Sequence, residues 1–463
     1  MLREDGAPAG DAWRSSRTGV RADWDLTERD ALTVLVDAGG GRYGQLATLP
    51  TYAPPQMELR SQLRRTTMTN LLARWSHHHR SGAESSLQVY YDWFDRTGGL
   101  LAESRATFDL DYQNRLRFAG RHDLMWGLGY RQSADAGPES EFIRLRPNSE
   151  TLRLYSGFFQ DEIELQRGRL WLALGSRLER NHFTGLEIQP TVRLLAEPRP
   201  GQSLWAAVSR AVRTPSRGEQ DGESWVASIP ALPGAGLPPQ TLHLVPSPEF
   251  GSAAVVAAEG GYRGKLGRRT SLDVALFRNR YRSLRSIDFG RPFYGALPVP
   301  HLVVPLRFTN RGRGESAGVE VAARWEVRSG WRLTGTYNRL WKDLRLDPGA
   351  NPETTLLAED QRAPAHQFSL RSSWDLPRNL QLDANLYRTG KLPKVVNPPF
   401  AYPELPAALR GDLRLAWTPR PELELSVTGQ NLLDGRHPEF NPEVWFPQQE
   451  IRRGIYGQVR WRF

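Results

Sequence analysis

Residues Arg169–Glu179 read RLWLALGSRLE, and their alternation decides the fold. Leu170, Leu172, Leu174 and Leu178 fall on one side of an extended chain; Trp171, Ala173, Gly175, Arg177 and Glu179 fall on the other. Successive side chains of a strand point to opposite faces, so this is a strand with one apolar and one hydrophilic face. NLQLDANLY (379–387) repeats the pattern, setting Leu380, Leu382, Ala384 and Leu386 against Gln381, Asp383 and Asn385. ELELSVTGQN (422–431) does so again, with Leu423, Leu425 and Val427 opposed to Glu422, Glu424, Ser426, Thr428 and Gln430.

Working outward, such strands pair through short polar turns: TERD (27–30), AGR (119–121), QRG (166–168), EPRPG (197–201), VRSG (327–330), LPRN (376–379) and TPRPE (418–422). Between pairs lie Pro-, Gly- and aromatic-rich connections, at about 45–65, 135–149, 214–250, 287–304, 347–363, 391–405 and 435–452. Tight turns on one side and long loops on the other are the asymmetry of an outer-membrane barrel, with short periplasmic turns and long extracellular loops. Strands of about 10 to 15 residues suffice to cross a bilayer at a tilt. A soluble sandwich has shorter strands and no use for so much hydrophilic area on the second face; a wide barrel lines its lumen with it.

Composition agrees. The 463 residues contain no Cys, which removes disulfide frameworks and thiolate metal sites. Mean hydropathy is −0.54, and no run of eighteen apolar residues exists, so no helix of this chain spans a membrane. The formal charge is +10. Lys occurs only at 265, 342, 391 and 394, so the positive charge is almost all arginine. It is spread from Arg3 to Arg462 rather than gathered on one face, which argues against a nucleic-acid module.

Trp24, Trp75, Trp93, Trp126, Trp325, Trp331, Trp417 and Trp461 lie at or near predicted strand ends, where an amphipathic ring suits the headgroup level. The chain finishes mid-strand on GIYGQVRWRF, with Ile455, Val459, Trp461 and Phe463 on one face and Gln458, Arg460 and Arg462 on the other. A terminal amphipathic strand ending in an aromatic is the signal that barrel assembly machinery reads; Tyr456, Val459, Trp461 and Phe463 are its candidate residues.

Five segments resemble the TonB-dependent outer-membrane receptors: VSRAVRTPS (208–216), PSPEF with AAEGGYR (246–263), ESAGVEVAARWEV (315–327), GQNLLDGRHPEF (429–440) and RRGIYGQVRWRF (452–463). They occur in family order, with Glu259, Gly261 and Tyr262 at the Glu-x-Gly-Tyr positions and Leu433 where Phe is usual. The resemblance implies a receptor that binds a scarce ligand outside the cell, most often a ferric siderophore but also haem, cobalamin or a glycan. It also implies a TonB complex that pulls on a plug inside the barrel. No signal core, TonB box or plug precedes the first strand, which is expected near 12–26. About nineteen strands are counted against an expected twenty-two, so the expectation is a barrel over 12–463 that begins at its fourth strand. Residues 1–11 would be the remnant of an extracellular loop. A plugless passive diffusion barrel is the alternative reading.

No catalytic constellation is found, so the reading is not an enzyme, and no cofactor or metal site is expected. His77, His78 and His79 read as a solvated turn. His182, His243, His301, His366 and His437 fall in or beside long loops. The 214–250 loop is the first choice for ligand contact, with Arg217, Trp225 and His243 as its candidates. Expected partners are outer-membrane lipid, the assembly machinery, an extracellular small molecule or metal chelate and, for the full-length protein, the TonB complex; nucleic acid is not expected.

Overall fold

The computed structural model describes all residues except 1, 4–6, 101, 138–139, 232–233, 235, 297, 353, 357–361, 398–399, 440–444 and 463. Alternation becomes a wall of long strands in chain order. They are β1 (Trp13–Asp25), β2 (Asp30–Pro50), β3 (Met57–His78), β4 (Glu84–Thr97), β5 (Glu103–Phe118), β6 (His122–Ala136) and β7 (Ser149–Gln166). There follow β8 (Leu170–Asn181), β9 (Gly185–Arg199), β10 (Gln202–Arg213), β11 (Ala253–Leu266), β12 (Thr270–Phe289), β13 (His301–Arg328) and β14 (Trp331–Leu346). β15 (His366–Leu376), β16 (Leu380–Thr389), β17 (Ala408–Arg420), β18 (Leu423–Gln430) and β19 (Gly454–Trp461) complete it. Each pairs antiparallel with the next, and the sheet curls into a barrel.

The concave face is hydrophilic. Arg74, Gln88, Asp109, Asp111, Arg131, Ser156, Arg177 and Glu179, from six successive strands, line one cavity of about 550 Å³. The convex face carries Leu71, Leu128, Phe159, Leu174, Leu178 and Val208, all substantially exposed. An apolar outer surface with a polar interior is what a strand wall in hydrocarbon requires, because lipid meets one face and water the other. Trp24 and Trp75 flank Leu32 in one cross-strand row at the tight-turn end. Trp331 pairs with Trp374, Trp417 with Leu380 and Trp461 with Leu423 at the same end. Trp93 and Trp126 instead lie inside β4 and β6.

Several strands outrun what a bilayer needs. β2, β3 and β12 have 21, 22 and 20 residues, and β13 has 28. The expected loop at 45–65 is therefore mostly strand, with only 51–56 connecting β2 to β3, and much of 287–304 is strand as well. Pro and Gly suggested loops there, but above the membrane a ladder can continue as long as its partner does. The connection between β8 and β9 is also short, so the alternation of short and long connections is not strict.

Of the C-terminal candidates, Tyr456, Val459 and Trp461 pair with Thr428, Leu425 and Leu423 of β18; Phe463 lies outside the described residues. β1 pairs with β2 alone and β19 with β18 alone among the described residues. Val20 in β1 is 69% exposed and Val459 in β19 is 70% exposed, as befits the two rims of a seam. Nineteen strands in simple alternation leave those two rims pointing the same way.

Candidate functional site

At the loop end a second layer is built from short strands. Gly222–Ile229 and Gln240–Leu244 form a hairpin, offset by a bulge between Trp225 and Ala227. The first of these also pairs with Ile143–Leu145, and the second runs parallel to the start of β13, Gln240 opposite Leu302 through Leu244 opposite Leu306. Val226, Leu242, Ile287, Val304 and Leu306 form the buried core of this layer. Residues 222–229 and 240–244 of the 214–250 segment are thus strands with their own hydrophobic anchor.

The anchor's other side is polar. A four-residue helix, Arg217–Gln220, begins at Ser216, and Glu219 closes a capping box with it. Arg213 and Arg285 reach Glu219 at 2.6 and 3.1 Å. Burial alone would raise the Glu219 carboxyl, but the Ser216 backbone N–H and Arg213 outweigh it and hold the carboxyl below its ordinary range. Arg217 is buried, pairing with Asp135 and with Asp221 at 3.3 Å and donating to the Pro147 carbonyl. It fastens β6, the helix and residue 147 together, and its donors point into protein.

Trp225 and His243 do meet. Their rings stack with centroids 5.8 Å apart at 10°. Tyr52 lies 4.3 Å from Trp225 and 5.0 Å from His301, and Phe142 lies 6.1 Å from Trp225. Tyr52, Glu141, Phe142, Arg144, Trp225 and His243 line a cavity of about 280 Å³. Trp225 Nε1 and His243 Nε2 are buried there without a hydrogen-bond partner, a costly arrangement that a ligand acceptor or donor would relieve. His301 is among the loop histidines the sequence points to, whereas Tyr52, Phe142 and Arg144 carry no such signal. Tyr52 lies between β2 and β3, Phe142 and Arg144 lie between β6 and β7, and His301 opens β13; no spacing announces that these places meet. Their shared aromatic content was the one available signal.

Burial, with His301 nearby, pushes the His243 imidazole down to about 4 from 6.5. The unfolded ring takes its proton near 6.5 and the folded ring only near 4, so the layer's stability is complete above that window and is lost as pH falls through it. Hydrogen exchange of residues 222–244, corrected for intrinsic rates, is expected to accelerate progressively from pH 6.5 towards 4. His243→Phe should flatten that dependence; an identical profile in the variant would place the titrating group elsewhere.

Among the described residues no group of three or more His, Asp or Glu is arranged to hold a metal ion. The periplasmic-type turn uses its histidines locally: His77 Nδ1 lies 2.7 Å from Asp30, and His79 Nε2 lies 2.8 Å from the Ser85 hydroxyl.

A wall with this outer face, this polar interior and a structured layer over one mouth is that of an outer-membrane β-barrel. The family described as TonB dependent receptor-like, beta-barrel matches residues 3–432, and the chain belongs to that family. The ferric enterobactin receptor PfeA of Pseudomonas aeruginosa superposes with a TM-score of 0.73 at 15% identity, over 97% of this chain and 70% of that one. The siderophore receptor PirA of Acinetobacter baumannii gives 0.73 at 12%, over 100% and 73%. PirA of Pseudomonas aeruginosa gives 0.65 at 14%, over 99% and 78%. No curated protein sequence matches the chain significantly. At these identities the solved structures speak to fold; the family is one of receptors rather than enzymes.

Proposed function

We propose that this barrel sits in the outer membrane of a Gram-negative cell and serves TonB-energised uptake of a ferric siderophore, which first docks on the Tyr52–Trp225–His243 cavity. The observation that carries the reading is the pair of buried, unpartnered ring nitrogens beneath stacked aromatic faces at the loop end. Flat aromatic surfaces with a few fixed polar atoms suit a bulky chelate whose outside is ring and amide. Arg144, Glu141 and Glu223 place hydrogen-bonding groups of both signs around the aromatic faces, while Arg217 positions the segment that carries Trp225. The siderophore receptors among the similar folds favour this ligand class over haem, cobalamin or glycan. The seam between β1 and β19 supports a further element of the reading: the working receptor has more strands, and a plug, upstream of residues 1–11, which would then belong to a loop.

The test is retention of radioactive iron as ferric enterobactin by the protein in detergent. Trp225→Ala and Tyr52→Ala should each weaken retention by about 30-fold, the range of a central aromatic contact. Arg388→Gln, on β16 away from the cavity, should leave it unchanged. Unaltered affinity in both aromatic variants would remove the cavity from the pathway, and an absence of binding by catecholate, hydroxamate and haem probes alike would remove the siderophore class.

A further inference from the structure

Arg14, Arg42 and Arg65 form one row across three strands. Arg14 is directly opposite Arg42 in the β1–β2 ladder, and Arg42 is directly opposite Arg65 in the β2–β3 ladder. All three are exposed. Their parity is that of Val20, Val36 and Leu71, so they stand on the convex, apolar face. With strands about 4.8 Å apart, the three Cα atoms lie within about 10 Å of one another. Like charges directly opposite in a ladder repel, and among the described residues none of the three has an ion pair or a side-chain hydrogen bond. Asp95, a rung lower on β4 where it pairs with Thr67, is the nearest carboxylate on that face. On the concave face of the same strands the arginines are engaged: Arg17 with Asp37 at 3.1 Å, Arg21 with Asp23 at 2.7 Å and Arg74 with Gln88 at 3.0 Å.

The row's height is set by the strands. Trp24, Leu32 and Trp75 make a row of their own at the tight-turn end, and each stands about ten residues below the arginine on its strand, or about 33 Å along it. At a tilt of about 40° that is about 25 Å of membrane normal, the height of the apolar band in an outer-membrane barrel. The arginines therefore stand at the headgroup plane of the outer leaflet, as the tryptophans do at the inner one.

We infer that Arg14, Arg42 and Arg65 are a binding site for the phosphate groups of a phosphorylated outer-leaflet lipid. The inference rests on the outer-membrane reading above. Guanidinium groups donate in a planar fork that matches phosphate oxygens, and three of them in one row can engage two phosphates on a single lipid. A lipid that docks there also neutralises a repulsion the sheet otherwise carries.

The test uses the 463-residue chain in nanodiscs of phosphatidylcholine doped with bisphosphorylated lipid A, with lipids retained on the protein counted by native mass spectrometry. The wild type should retain lipid A over phosphatidylcholine, and the R14Q/R42Q/R65Q triple variant should lose that preference by on the order of tenfold or more. Arg17→Gln on the concave face should keep it. Chemically dephosphorylated lipid A should show no preference with the wild type, a measurement that needs no variant, and excess inorganic phosphate should not displace the lipid. Equal retention by wild type and triple variant, equal retention of the dephosphorylated lipid, or full displacement by free phosphate would each overturn the site while leaving the barrel standing. Failure to enter any nanodisc, by the wild type and equally by a form extended upstream to close the seam, would overturn the membrane reading and the site together.

Discussion

In lipid vesicles, the 463-residue chain on its own is expected to leave the facing amides of β1 and β19 exchanging several orders of magnitude faster than those of β8 and β9. β1 contributes 13 residues and β19 contributes 8. About half of these aim N–H and C=O groups at the seam. Unpaired in hydrocarbon, such groups cost on the order of tens of kcal/mol in sum, so the seam must gain a partner or stay out of the bilayer. β1 and β19 run in the same direction, so an all-antiparallel closure needs an odd number of intervening strands. Extending the chain upstream by three amphipathic strands is expected to bring both rims to the protection of the central wall. It should also convert a form that inserts poorly into one that resists protease and migrates faster before heating. Protection of β1 and β19 in the unextended chain, equal to that of β8, would mean that the two rims pair directly and in parallel.

Leu174→Arg is expected to cost about 2–4 kcal/mol of folding stability in bilayers, the penalty for a charge near the middle of the lipid face. Leu174 lies four residues into β8 from its tight-turn end and points outward between Asp161 of β7 and Val192 of β9, about 10 Å into the band. Arg177→Leu, three residues on but facing inward, removes only an exposed pair with Glu179 at 2.7 Å. A loss of less than about 1 kcal/mol is expected there. Urea unfolding of both variants in vesicles measures the difference. Comparable losses would mean that the two faces of β8 see similar surroundings, contrary to the barrel.

Those two residues also show what was legible in the sequence. The period of two in RLWLALGSRLE placed Leu174 and Leu178 outside and Arg177 and Glu179 in the lumen, and the structure puts them there. A bilayer imposes that pattern locally, strand by strand, so no long-range information is needed to read it. The first strand, expected near 12–26, runs from Trp13 to Asp25 for the same reason. Beyond the headgroups the constraint ends. Residues 45–50 and 57–65 continue β2 and β3 although Pro50, Pro54 and Pro55 look like loop punctuation. The cavity was legible only in part. Trp225 and His243 stood out as aromatic residues in the longest loop, and they stack. Tyr52 and His301 join them through the three-dimensional meeting of connections far apart in the chain. Arg217 stood out equally and is a buried fastener, because charge in a loop does not reveal whether carboxylates such as Asp135 and Asp221 await it.

β13 gives the mouth of the barrel a mechanical character. Its 28 residues extend about 90 Å, and its lower part is clamped between β12 and β14. Its upper part carries the Gln240–Leu244 strand by a parallel ladder. It is a beam that β12 and residues 293–295 brace along one edge almost to its tip, with the His243 cluster mounted on the other edge. A load applied at the tip is shared by many backbone hydrogen bonds sheared together, so the cluster cannot flap as a loop does. Displacing the cluster therefore means displacing β12 and β13 together above Gly312, where β14 ceases to pair with β13.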